Sequence, residues 1–206
     1  MTPTAGVPIG RVAPVNPVTA RRGVVCGAHV VAAGGAGCLL WAFSVPGVAV
    51  LLAAAAVAVL GVAVLLWTVG AQLSHSAGRT WPGWLPVAPA MAVVVLALLV
   101  TGVPLRARWA LSRDAFETVV AELPQRRSAT GFDRVRVPAT VGSYRITTAY
   151  LVPGGVVFYE ENGAFFDDAG FAYLPDGPTA SLANGSFESP VFRPLGAGWY
   201  RWTASW

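Results

Sequence analysis

The stretch GVVCGAHVVAAGGAGCLLWAFSVPGVAVLLAAAAVAVLGVAVLLWTVG, residues 23–70, decides the architecture, because it contains no Asp, Glu, Lys or Arg. A helix crosses the hydrocarbon core of a bilayer with about 20 apolar residues at about 1.5 Å each, so this stretch suffices for two crossings. Residues 23–44 predict the first span, entered from Arg21 and Arg22. Residues 48–69 predict the second, and Val45-Pro46-Gly47 supplies a turn between them. Further along, residues 86–105 predict a third span, with Pro86 or Pro89 tolerated in its first turn, where a missing backbone donor costs nothing. Trp41, Trp67, Trp81, Trp84 and Trp109 fall at or just beyond these ends, where indoles favour the headgroup region.

Charge draws the same boundary. The first 105 residues carry four Arg and no acid, whereas the remaining 101 carry ten Arg and ten acids. The whole chain is 55% hydrophobic and 12% charged, against roughly 45–50% and about 25% in ordinary soluble domains. The net charge of +4 therefore belongs to the segments beside the spans. The C-terminal part is formally neutral and shows no basic surface for nucleic acid, so no nucleic-acid partner is expected. Arg21-Arg22 before an apolar run imitates a signal peptide, but the run continues into a second span and predicts an anchor that stays. Arg11, Arg21, Arg22 and Arg79 predict a cytoplasmic N-terminus, and three crossings then place the last domain outside. Arg106, Arg108 and Arg113 pull against that orientation.

His29 is the sharpest polar exception within the predicted spans, and Cys26 precedes it by one helical turn. A metal or proton-relay role needs more ligands than this pair and His75 provide. The plainer expectation is an imidazole near the headgroups or bonded to a neighbouring helix. Cys26 and Cys38 lie about 18 Å apart along one helix and cannot bridge. Gly23 with Gly27, and Ala28 with Ala32 and Ala36, predict close helix packing.

Residues 106–206 predict a small α+β domain with a mainly antiparallel sheet. Ser112 is placed to cap a helix over 113–123, and Trp109, Phe116, Val120 and Leu123 recur on one face of it. From Val141 the period becomes two, with Tyr144, Ile146, Thr148 and Tyr150 on one face. Pro153-Gly154-Gly155 and Asn162-Gly163 predict turns, and strands are expected at 156–160, 164–167, 171–174 and 199–206.

Three features of the domain are candidates for function. Glu160, Glu161, Asp167, Asp168 and Asp176 offer hard oxygen ligands, although without the regular spacing of a calcium loop. Tyr200, Trp202, Ala204 and Trp206 share a strand face that forms a binding platform if exposed and core if covered. Residues 175–198, rich in Pro, Gly and Ser, predict either a binding loop or a surface excursion. The domain has no His, Cys or Lys, which removes the usual general base, thiol and amine, so catalysis is not expected. No phosphate-binding or dinucleotide glycine motif is present and no cofactor is expected.

GFAYLPDGP (170–178) and GWYRWTASW (198–206), following helices rich in Ala, Val, Gly and Arg, resemble the tails of uncharacterised multi-pass membrane proteins of high-GC actinobacteria. That resemblance implies a bacterial cell-membrane protein with an extracytoplasmic C-terminal domain, and no activity. The functional expectation is an anchored binding or interaction domain at the cell envelope, in contact with the lipid bilayer and with another envelope or membrane protein. The alternatives are an accessory subunit of a transport or secretion complex and a carboxylate-based envelope hydrolase.

Overall fold

A computed structural model of the chain describes residues 17–75, 83–123, 132–162, 167–183 and 188–205. Four helices, α1 (Pro17–Ala42), α2 (Val50–His75), α3 (Val87–Val100) and α4 (Val103–Glu122), precede an antiparallel sheet. Its strands are β1 (Asp133–Val135), β2 (Thr140–Val141), β3 (Tyr144–Val152), β4 (Gly155–Glu160), β5 (Asp167–Tyr173), β6 (Glu188–Gly196) and β7 (Trp199–Ser205). Residues 1–16, Trp81, residues 184–187 and Trp206 lie outside the described residues, as do Gly163 and most of the strand expected at 164–167.

Two stretches, Gly23–Ala42 and Val50–His75, are each long and apolar enough to cross a membrane. Small side chains join α1 to α2: Ala28, Ala32 and Ala36 are buried on α1, as are Ala56, Ala63 and Gly70 on α2. A Cβ on Gly35 would sit 3.0 Å from the Leu60 side chain, so the two backbones approach as closely as small residues permit. Gly23 and Gly27 have no neighbour within 4 Å of a notional Cβ, and the expected GxxxG contact is therefore absent among the described residues.

The third apolar stretch ends earlier than its composition suggested. Gly102 adopts φ 66°, a left-handed conformation that costs glycine little, and α3 breaks there into α4 with a bend of 57°. Pro104 lies in the first turn of α4, where its fixed φ suits a helix start. Only α3 and α4 taken together are long and apolar enough for a third crossing. The helix expected over 113–123 thus begins ten residues sooner, at Val103. Ser112 stands in its middle, buried, rather than at its N-cap.

Strand order is β1-β3-β4-β5-β7-β6, with β2 pairing β3. One face packs on α4, where Trp109 and Phe116 meet Tyr144, Phe158, Phe171 and Trp199. Trp109 stacks on Phe171 at 4.5 Å between ring centroids and is 4% exposed, so it is core and not an interfacial anchor. The opposite face holds Val157, Ala172, Leu174 and Trp202, covered by Leu182 from a short 3-10 helix (Ala180–Ala183). Burial on both faces explains why Val156, Val157 and Phe158 are all buried in succession on β4. The edges are β1, three residues long, and β6, which carries Pro190 and Pro194. Short length and proline both discourage a further strand from adding there.

The sheet and helices are bolted together at Arg108. Its Nη1 donates to Ser44 Oγ at 3.1 Å, its Nε to Ser143 Oγ at 3.0 Å, and its Nη2 to the Ser143 carbonyl. The guanidinium also lies 4.4 Å from the Trp41 ring centroid and 4.3 Å from that of Tyr144. Tyr144 Oη donates to the Ser44 carbonyl at 3.2 Å, and Ser112 Oγ accepts from the Ser143 backbone at 3.1 Å. The turn before Ser143 comes so close that a Cβ on Gly142 would lie 2.8 Å from Ser112 Cα.

Candidate functional site

A cleft of about 380 Å³ lies among α1, α2 and α3, within the roughly 300–1,000 Å³ typical of small-ligand sites. It exists because α1 and α2 pack tightly through small residues while α3 offers Ala88, Ala92 and Val95 across a gap. Along α1 it runs from Ala28 to Leu39, about 16 Å by helical rise. Apart from His29 and Trp67, its lining is aliphatic, Pro or Met.

Those two residues each leave a ring nitrogen buried without a partner, His29 Nε2 and Trp67 Nε1. His29 Nδ1 lies 2.8 Å from the Val25 carbonyl oxygen, which can only accept, so Nδ1 carries the proton. In the neutral ring Nε2 is then a bare acceptor, while Trp67 Nε1–H is a donor only. Trp84 meets the His29 ring edge-on at 6.0 Å and flanks this end. A Cβ on Gly70 would lie 3.3 Å from Val25 and 3.7 Å from Trp84, so the polar end gathers the start of α1, the end of α2 and the approach to α3. It lies about 18 Å along α1 from Trp41 and the Arg108 contacts. Leaving a buried donor or acceptor unmet costs about 1–3 kcal/mol, and His29 and Trp67, which do so, line the same apolar cleft.

Cys26 is exposed, and so is Cys38. Among the described residues no group of three His, Cys, Asp or Glu side chains gathers as metal ligands. The sequence marked His29 and missed its companions: the helix packing brings Trp84 against the imidazole and places Trp67 on the wall of the same cleft.

In the sheet domain the expected aromatic platform is covered. Trp202 is 0% exposed, donates Nε1–H to the Phe158 carbonyl at 3.2 Å and meets Tyr159 edge-on at 4.7 Å. Tyr200 is half-buried against Phe192. Residues 175–198 are not one loop, since they contain the 3-10 helix and β6. Among the described residues the carboxylates form no group that could hold a metal ion. Asp168 is exposed near the start of β5 and Asp176 is exposed beyond its end, while Asp167 is placed by its backbone opposite Ser205.

Glu161 pairs with Arg145 at 3.0 Å. Glu160 is buried and accepts from the Asn162 backbone at 2.8 Å and from Asn162 Nδ2 at 3.0 Å. Burial raises its carboxyl above the ordinary carboxylate range, against the Asn162 hydrogen bonds and the Arg108 charge, which lower it. Folding therefore favours the protonated form, and this contribution is fully present below the unfolded pKa and lost as pH rises through the folded one. Glu160→Gln is expected to flatten that fall. Thermal midpoints measured from pH 4 to 7 check it, and parallel curves for the two proteins would remove Glu160 as the cause.

No family model, no curated protein and no solved structure matches the chain, so what the site can do follows from its own residues.

Proposed function

We propose that this chain is a membrane-anchored binding protein whose three-helix part holds a single-chain amphiphile with a hydroxyl-bearing head. The observation that carries it is the pair of unmet nitrogens, one accepting and one donating, at one end of an otherwise apolar cleft. Both atoms are buried, so a ring must turn towards the cleft before a hydroxyl can donate to His29 Nε2 or accept from Trp67 Nε1–H, while an aliphatic tail fills the run towards Leu39 and Leu99. An apolar cleft gives no support to an ion or proton path, which leaves the transport-subunit alternative without a favouring observation. Trp202 is covered, so the strand face of Tyr200 and Trp202 gives less support to a binding role than the helices do.

The test is titration of the detergent-solubilised protein with a brominated long-chain alcohol while tryptophan emission is followed. Saturable quenching is expected, reduced in amplitude by Trp67→Phe. Both His29→Leu, which removes the acceptor, and Ala92→Leu, which narrows the cleft from an exposed position on α3, are expected to weaken binding about tenfold. Linear quenching identical in all these variants would mean bulk partitioning and sink the proposal.

The arrangement in the cell belongs to the same proposal: a multi-pass protein of the cell membrane with a cytoplasmic N-terminus and an extracytoplasmic sheet domain. It rests on the early arginines and on counting the bent α3–α4 pair as a third crossing. Asp176 is exposed in a turn, so Asp176→Cys, with Cys26 and Cys38 replaced, is expected to react with an impermeant maleimide on intact cells. Reaction only after lysis would reverse the orientation.

A further inference from the structure

Arg193 on β6 stands in register with Arg201 on β7, in a stretch of regular antiparallel pairing. Directly opposed residues project to one face with Cβ atoms about 4.5–5.5 Å apart, where like charges destabilise the sheet. Neither guanidinium has a carboxylate: the ion pairs among the described residues are Arg113–Glu117 and Arg145–Glu161. Asp167 and Glu188 are placed by their backbones opposite Ser205, about 13 Å along β7 from Arg201. Arg193 is exposed and Arg201 half-buried, so one face of the pair is open while the other loses hydration. Burial and the neighbouring Arg193 both depress the pKa of Arg201, which marks its charge as uncompensated. Thr203, next on the same face and half-buried, adds a hydroxyl.

We propose that Arg193, Arg201 and Thr203 form an oxyanion site that takes a phosphate group, supplied either as free phosphate or as the headgroup of an anionic lipid. Two guanidiniums present planar forks of N–H donors and two positive charges, which suit the several oxygens of an anionic phosphate group, whether a phosphate ion or a phosphodiester. Binding removes the cross-strand repulsion, so occupancy stabilises the β6–β7 pair. The site lies on the sheet domain and is independent of the helical cleft.

The test uses the full chain in a nonionic detergent, with thermal midpoints measured against inorganic phosphate at constant ionic strength, and then in nanodiscs with and without phosphatidylglycerol. A saturable rise of about 5 °C or more is expected in at least one arm. A rise with inorganic phosphate assigns a soluble ligand, and a rise with phosphatidylglycerol alone assigns the headgroup. Arg193→Gln is expected to equal or exceed the parent midpoint without ligand, because repulsion is relieved, and to lose the ligand-induced rise. No rise in either arm, or an equal rise in Arg193→Gln, overturns the proposal.

Discussion

Phe116→Ala is expected to lower the stability of the sheet domain by about 3–5 kcal/mol, the largest effect of any single truncation argued for this chain. Phe116 is 0% exposed, and its ring lies 5.2 Å from Trp109, 5.3 Å from Phe158, 5.2 Å from Phe171 and 5.7 Å from Trp199. It is the knob by which α4 enters the sheet. Removing it opens a cavity walled by aromatic rings that cannot collapse into it without leaving their own contacts. A domain of this size has roughly 5–15 kcal/mol in total, so a large part of its margin goes. Trp109 and Trp199 report the change, since both indoles pack beside the lost ring, and their emission should shift red at a much lower temperature. Phe116→Leu, which keeps most of the volume, should recover more than half of the loss. Leu111→Ala on the same helix, where Leu111 is 88% exposed, should stay within about 0.5 kcal/mol of the parent. A Phe116→Ala midpoint equal to that of Leu111→Ala would show that α4 does not seat on the sheet.

The aromatic face of α4 was legible because Trp109, Phe116 and Val120 recur at helical spacing whatever they pack against. The start of the helix was not. Val103, Pro104 and Leu105 are as apolar as the span before them, and hydropathy cannot see the left-handed turn at Gly102 that separates the two. Strand β6 was hidden by its prolines, which argue against a central strand but are tolerated on an edge. The fate of Trp202 depended on Leu182, contributed by the segment that resembled an open loop. At the cleft, His29 stood out by type alone, whereas the unmet state of its Nε2 depends on three helices meeting. Periodicity and composition act over a few residues and specify elements. Which faces end up covered is fixed by contacts between residues far apart in sequence.

Arg108 shows such a contact at its most consequential, and Arg108→Ala is expected to free the sheet domain from the helices. Its guanidinium joins Trp41 and Ser44, at the α1–α2 connection, to Ser143 and Tyr144, at the start of β3. Among the described residues the charge makes no contact ion pair and is held by two aromatic faces and by hydroxyl and carbonyl oxygens, with Glu160 acting on it at longer range. Each cation–π contact contributes about 0.5–2 kcal/mol, and hydrogen bonds from a charged donor about 1.5–3 kcal/mol. Allowing for the water that replaces the side chain, a net loss of about 3 kcal/mol is reasonable. It should appear as a midpoint lower by about 10 °C. Arg108→Lys keeps the charge but loses the planar fork that reaches Ser44 and Ser143 together, so it should restore less than half of the difference. Stability alone does not separate this bolt from ordinary packing, so the second readout is protease access. With Arg108 intact, the turn at 44–49 is shielded by the domain, as the burial of Ser44, Val45 and Pro46 indicates. In Arg108→Ala it should become cleavable below the temperature at which the sheet melts. Cleavage there at the parental rate, with an unchanged midpoint, would mean that Trp41, Ser44 and Tyr144 hold the domain in place without the arginine.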